Sequence, residues 1–297
     1  MRASSVSITN LTTVRGAYGI DMRLELYLPV SILAGFVGAM GGMGGGIILI
    51  PALTLLGTDI KHAIALSIVS VIATSSGSAS AYVRDRITNL KLGMFLEVFT
   101  MLGAITGALV TLAVAPRILF FLLGAVLLSS AAVLWLKRRE DWVPVPRQDA
   151  VSRWLELEGS YPERSTGTEI AYRATRAWLG GPLMFGAGMV AGLLGIGAGA
   201  LKVLIHDLVM GLPPKVSTTT SNLIIGVTAL AGTSVYLSRG LIEPGPVALV
   251  VLGVLLGAFL GTRLLVRLPN RTVRRLFLGL LLILGVEVIV RGLRGGA

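Results

Sequence analysis

Apolar residues run through this chain in blocks of about twenty, separated by short polar stretches, and the blocks predict helices long enough for a bilayer. Residues 1–25 are polar, rich in Ser and Thr, and read as an N-terminal tail with no apolar core of signal-peptide length. The first apolar run, 26–56, is broken by Gly41, Gly42, Gly44, Gly45 and Gly46. Its two pieces hold about 14 and 11 residues, roughly 21 and 16 Å as helices, too short to cross ~30 Å of hydrocarbon. They predict a re-entrant pair of half-helices with a glycine tip at membrane depth. Three full spans follow, at 63–83, 92–114 and 118–136. Residues 137–177 carry Pro144, Pro146, Pro162 and nearly balanced charge, and read as an aqueous, cytoplasmic loop. The pattern then recurs: a Gly-broken run at 178–210 and spans at 216–237, 247–266 and 276–290.

The recurrence is a repeat in register. At a spacing of 153, Gly35, Gly42, Gly44 and Gly46 match Gly188, Gly195, Gly197 and Gly199. At 154, Gly57, Lys61, Ser67, Thr74, Ser80, Tyr82, Gly103 and Gly107 match Gly211, Lys215, Ser221, Thr228, Ser234, Tyr236, Gly257 and Gly261. The expected organisation is a tail (1–25), a transmembrane repeat (26–136), a loop (137–177) and a second repeat (178–294). The fold class is all-α and polytopic, with two pseudosymmetric repeats, each a re-entrant pair plus three transmembrane helices. Lys and Arg counts give the same inside total for inverted and parallel repeats. The short half-helices favour inversion, as does the Arg263, Arg267, Arg271, Arg274, Arg275 cluster, which faces the cytoplasm only in that arrangement.

Composition narrows the class. Hydrophobic residues make up 54% and charged residues 14% of the 297, against about 25% charged in soluble domains. That excludes a disordered chain and a soluble globule. The net charge of +11 sits between apolar runs, where basic loops face anionic lipid, and no basic face with interleaved aromatics suggests nucleic acid. With no Cys and two His, disulfides, thiolate sites and a zinc centre are not expected. The glycines lack the strand and acidic residue of a dinucleotide fingerprint, and neither a Walker pattern nor a Gly-x-Ser-x-Gly elbow occurs. No cofactor, metal or catalytic set is expected, and the chain reads as a non-enzyme.

The chemistry concentrates at the glycine tips, Gly42-Met43-Gly44-Gly45-Gly46 and Gly195-Ile196-Gly197-Ala198-Gly199. Bare backbone lets N–H groups crowd a ligand, and each following half-helix aims its N-terminus there, which suits an anion. Small residues also serve close helix packing, the reading preferred for Gly103/Gly107 and Gly257/Gly261. Thr219, Thr220, Ser221 and Asn222, with Ser67 at the position equivalent to Ser221, offer neutral donors, although such hydroxyls also bond their own helix carbonyls. Lys202 stands one turn beyond the second tip, and His206 shares its face. His206, Asp207, Glu97, Lys61 and Lys215 are candidates for coupling or gating; snorkelling or a plain interfacial position is the bland alternative for each. Glu287 belongs with Glu97 on the same grounds.

The run Gly44-Gly45-Gly46-Ile47-Ile48-Leu49-Ile50-Pro51, the entry Lys61-His62-Ala63, and their duplication after a polar loop resemble the sulfite exporter TauE/SafE family, also called TSUP, over residues 27–292. The resemblance implies a bacterial or archaeal plasma-membrane permease for sulfite, thiosulfate, sulfonates such as sulfoacetate, or related C2 acids. It places substrate at Gly44–Gly46, Gly197–Gly199 and the polar stretch 215–222. The first half has Ala65-Leu66-Ser67 where a small-Thr-Ser pattern is usual, which implies a site leaning on the second repeat. The expected partners are a small anion and the lipid bilayer, with a homo-oligomer as an option. An anion channel, a membrane scaffold, and an intramembrane enzyme using His206 and Asp207 are the alternatives.

Overall fold

A computed structural model of the chain describes residues 13–15, 21–41, 45–84, 87–136, 147–163, 168–265 and 270–294. Two short strands, β1 (Thr13–Arg15) and β2 (Asp21–Arg23), pair antiparallel before the first helix. The first half then runs α1 (Leu24–Gly41), α2 (Gly46–Leu55), α3 (Ile60–Arg84), α4 (Leu90–Ala113) and α5 (Pro116–Leu136). A connecting segment holds α6 (Ala150–Trp154), β3 (Glu158–Glu163) and β4 (Thr168–Arg173). The second half is α7 (Ala177–Leu194), α8 (Gly199–Leu204) with a π-helical turn at Ile205–Val209, α9 (Pro214–Ser238), α10 (Pro244–Leu265) and α11 (Asn270–Leu293). The protein is all-α and multi-pass. Five helices among the described residues are long and apolar enough to cross a membrane. Leu102, Leu109, Phe259 and Ile283 face outward, as lipid-facing positions do.

Both broken runs fold back on themselves. At the first, Tyr27 Oη near the start of α1 lies 2.9 Å from Thr58 Oγ1 beyond the end of α2, and Gly45 sits against Ala34. At the second, the Thr175 N–H before α7 donates to Met210 O after the π turn, at 3.0 Å. The arms are unequal. For the first run the sequence predicts a leading piece near 21 Å, but α1 holds 18 residues, about 27 Å, and α7 has the same length. The interior glycines do not break these helices: Gly35 meets Val254 O, and Gly188 and Gly192 meet Thr100 O and Ala104 O, while α1 ends at Gly41 and α7 at the left-handed Gly195.

Interhelix contacts follow the spacing read from the sequence. A methyl added at Gly103 or Gly107 of α4 would stand 2.1 Å from Phe185 O or 2.0 Å from Met189 O of α7. At the equivalent Gly257 and Gly261 of α10 it would stand 2.0 Å from Ile32 O or 2.4 Å from Phe36 O of α1. Only glycine allows such approach, so the first helix of each half is seated on the other half. Both these pairs run parallel. By contrast α3 meets its counterpart α9 antiparallel, with Ser75 beside Gly226 and Ile68 beside Gly232. The α5–α11 pair is antiparallel too, since Phe120 touches Gly292 and Leu128 touches Gly285.

The segment expected as a loop carries folded structure at 147–163 and 168–173. β3 and β4 form an antiparallel hairpin with Tyr161 opposite Ile170. Leu157, Tyr161 and Tyr172 are buried in a cluster with Leu92, Leu96 and Met210, so this platform packs on α4 and α7. Asn89 joins the pieces: its Oδ1 caps α4 at Leu92 N–H, and its Nδ2 donates to Tyr172 Oη, 3.0 Å. Asp149 accepts from the Ser152 hydroxyl and N–H and from Arg176 N–H. Partial desolvation pushes its carboxyl up, but these hydrogen bonds together hold it below the usual carboxylate range.

Candidate functional site

The two glycine tips meet. Ser67 of α3 donates to Gly195 O at 2.8 Å, and a methyl added at Gly46 would stand 2.9 Å from that same oxygen. Gly45, Gly46, Gly197, Ala198 and Gly199 are all buried; Gly42 to Gly44 lie outside the described residues. Gly195 (φ 64°), Gly197 (φ 73°) and Ala198 (φ 48°) take left-handed backbone, a conformation an alanine adopts at a cost of about 1–2 kcal/mol. The side chains of Val71 and Ile225 close over Gly197, and Ile64 over Gly195. The described parts of the two tips are therefore adjacent, with apolar side chains over Gly195 and Gly197. A cavity of about 200 Å³ lies elsewhere along the α3–α9 crossing, lined by Ser75, Ser76, Ala79, Leu223, Gly226 and Leu230.

The hydroxyl run divides into different tasks. Thr219 Oγ1 turns back to Lys215 O and Val216 O, 3.0 and 3.2 Å away, so it serves its own helix. Thr220 Oγ1 accepts from Asn89 N–H at 3.1 Å and holds the start of α4. Ser221 Oγ reaches toward Gly199 O at 3.5 Å, the outer limit of a hydrogen bond. Asn222 is buried beside them. Ser67 and Ser221, equivalent by spacing, thus each address a carbonyl of the second tip. Lys61 Nζ donates to Leu112 O at 2.9 Å, anchoring the end of α4, while Lys215 is exposed.

Charge gathers on the α8 side. Lys202 and His206 are 0% exposed and Glu97 is 9% exposed. Lys202 Nζ donates to Thr228 Oγ1 at 2.9 Å, and the same oxygen lies 3.1 Å from Glu97 Oε1. Thr228 has one proton, and Ile224 O at 2.6 Å competes with Glu97 for it. Among the described residues Glu97 Oε2 has no hydrogen-bond partner, nor has His206 Nε2; His206 Nδ1 is 3.2 Å from Ser217 O. His206 and the half-buried Asp207 sit on the π-helical turn, a local widening that recurs at functional sites. Among the described residues no cluster of three His, Asp or Glu could hold a metal. Thr228 is the site residue that sequence reasoning missed. Its signal was the match to Thr74 across the repeat, which marked the position without saying what it touches.

Comparison with known proteins bears on this arrangement. A family model described as Sulfite exporter TauE/SafE matches residues 27–288, from within α1 to within α11. The chain belongs to the TauE/SafE family. It is similar to the "Probable membrane transporter protein YunE" of Bacillus subtilis (strain 168), 24% identical over 280 residues, covering 92% of this chain and 99% of that protein. It is also similar to the "Probable membrane transporter protein YdhB" of the same strain, 25% identical over 242 residues, covering 81% and 88%. A shorter match of 60 residues at 33% identity links it to "Probable membrane transporter protein MJ0441" of Methanocaldococcus jannaschii, 20% of this chain and 22% of that protein. No solved structure matches. Family and relatives make the protein a membrane transporter.

Proposed function

We propose that this transporter is a secondary permease of the plasma membrane for small sulfur-containing anions, sulfite or an organosulfonate such as sulfoacetate. The observation that carries the reading is the meeting of the two glycine tips, through Ser67 and Gly195, where each hairpin turns. An anion held there would take backbone N–H groups of Gly44 to Gly46 and Gly197 to Gly199, with Ser67, Ser221 and Asn222 adding neutral donors. Lys202 would supply the one nearby buried cation among the described residues. Many neutral donors suit a sulfonate, whose single charge is spread over three oxygens. Inverted repeats are supported by the antiparallel meeting of α3 with α9 and α5 with α11, since a twofold axis lying in the membrane plane reverses equivalent helices. Exposure then alternates between the two sides, and the apolar cover over Gly195 and Gly197 corresponds to a closed stage of that cycle.

The test is uptake of labelled sulfite, thiosulfate, sulfoacetate, taurine and acetate by proteoliposomes. Saturable uptake with counterflow supports the carrier. Ohmic current in planar bilayers without counterflow would replace it with a channel, and absence of flux for every anion would refute the substrate class.

A further inference from the structure

Across the repeat the Lys202–Thr228–Glu97 cluster has Leu49, Thr74 and Val251 as its counterpart, so the two charges are replaced by apolar side chains. At the 153 spacing that pairs Gly46 with Gly199, Lys202 corresponds to Leu49; at the 154 spacing that pairs Gly103 with Gly257, Glu97 corresponds to Val251. Leu49 is fully buried in the core, and Thr74, the counterpart of Thr228, bonds Ser70 O and Val71 O of its own helix. The same packing position therefore works with a leucine. A lysine and a glutamate there are costly to bury and add nothing the fold requires.

We infer that Glu97 and Lys202 form a single exchange site that binds one proton with each transported anion. This rests on the proposed transport reading and deepens it. In the resting state the two charges cancel across the Thr228 hydroxyl. An anion arriving beside Lys202 would leave a net negative charge in a low-dielectric site, and a proton taken from water onto Glu97 removes it. The balance is simple: the anion and one proton enter together, the Glu97 carboxylate becomes a carboxylic acid, and Lys202 keeps its charge and changes partner. Glu97 Oε2, buried and without a hydrogen bond among the described residues, is the atom that receives the proton. Thr228 is suited to the exchange, because one hydroxyl already touches both groups and has Ile224 O as a second acceptor.

The other titratable groups around this site are few. His206 and Asp207 follow Lys202 on the π turn, with His206 Nε2 also lacking a partner. Among the helices packed on α4 and α8, α9 contributes Lys215 at its exposed end and the buried Tyr236, whose hydroxyl donates to Gly192 O at 2.7 Å; α3 has Lys61 and His62 at one end and Arg84 at the other, and α7 carries no titratable residue. Lys91 lies at the start of α4, paired with Glu156 on the platform. Glu97 is the carboxylate that shares a partner with Lys202.

The experiment is titration calorimetry of the purified full-length protein with sulfoacetate, which has no protonation step of its own between pH 6 and 8, in buffers of differing ionisation enthalpy. The result expected is about one proton taken up per anion, with affinity falling up to tenfold per pH unit as pH rises. Binding with no proton uptake would overturn the inference and leave the transporter reading standing. Failure of sulfoacetate, sulfite and thiosulfate all to bind would overturn the transporter reading itself. Glu97→Gln, a mimic of the protonated carboxyl, is expected to bind with no proton uptake and no pH dependence over that range. If a Glu97→Gln protein that melts cooperatively still takes up a proton, or binds no anion, Glu97 is not the proton acceptor.

Discussion

Replacing Gly107 by alanine tests the helix packing that brings the hairpins together. The added methyl would stand 2.0 Å from Met189 O and 2.8 Å from Leu193 N, both backbone atoms of α7. Carbon and oxygen rarely approach closer than about 3.3 Å, so α4 and α7 must separate by roughly 1.3 Å or rotate. Gly103, Gly188 and Gly192 make equally close contacts along the same seam, and the displacement would open them as well. Overpacking of this kind costs about 1–3 kcal/mol, and the lost contacts add to it, while the alanine recovers about 1 kcal/mol of helix propensity. A net loss of about 1–2 kcal/mol corresponds to roughly 2–8 °C in Tm for a chain of this size. The assay is thermal unfolding in detergent, followed by tryptophan fluorescence. Gly257→Ala, the related contact at 2.0 Å on α1, is expected to behave alike. Gly186→Ala on α7, with nothing within 4 Å, is expected to leave Tm unchanged or raise it. A Gly107→Ala protein as stable as wild type, or a Gly186→Ala protein equally weakened, would refute the reasoning.

Lys202→Leu or Glu97→Val alone strands a buried charge and is expected to destabilise by about 3–5 kcal/mol. The double variant, which restores the leucine and valine of the related position, should recover most of that loss in the same melting assay while binding no anion; equal damage from the double variant would count against it. Ala198→Gly relieves a left-handed alanine and should gain about 1 kcal/mol; a lower Tm would show that the methyl is needed for packing. Asp149→Asn tests the platform by pH. Because the folded state holds Asp149 below its usual value, its stabilisation is complete at neutral pH and is lost as pH falls below ~4. The Tm gap between wild type and variant should shrink from pH 7 toward pH 3, and a constant gap would argue that the capping geometry alone matters.

The long helices were legible because apolar runs of about twenty residues have few other uses: α3 to α5, α9 and α10 fall within three residues of the predicted spans, while α11 starts six residues earlier than predicted. The glycine register was legible for a related reason: Gly103 and Gly257 meet backbone oxygens at 2.1 and 2.0 Å, and nothing larger fits. The platform was hidden because Pro162 and mixed charges suggest a loop, while its buried Tyr161 and Tyr172 are only two positions in a polar stretch. At the site, Lys202 and Glu97 stood out singly as charges within spans. Their connection runs through Thr228, 131 residues from Glu97, and no local pattern encodes it. Thr219 and Thr220 had the right chemistry for a ligand, but helix rotation turned one to its own backbone and the other to Asn89. Rotation of that kind is set by packing, not by residue type.

Because α1 is seated on α10 and α7 on α4, the sequence halves are interlaced like clasped hands. Under the proposed alternation of access, the blocks that move would be mixed: one joins α1 of the first half to α10 of the second, the other α7 of the second half to α4 of the first. A chain cut between residues 137 and 146 would yield two fragments that each lack the surface on which their own first helix rests. They should be insoluble apart and recover activity only when produced together.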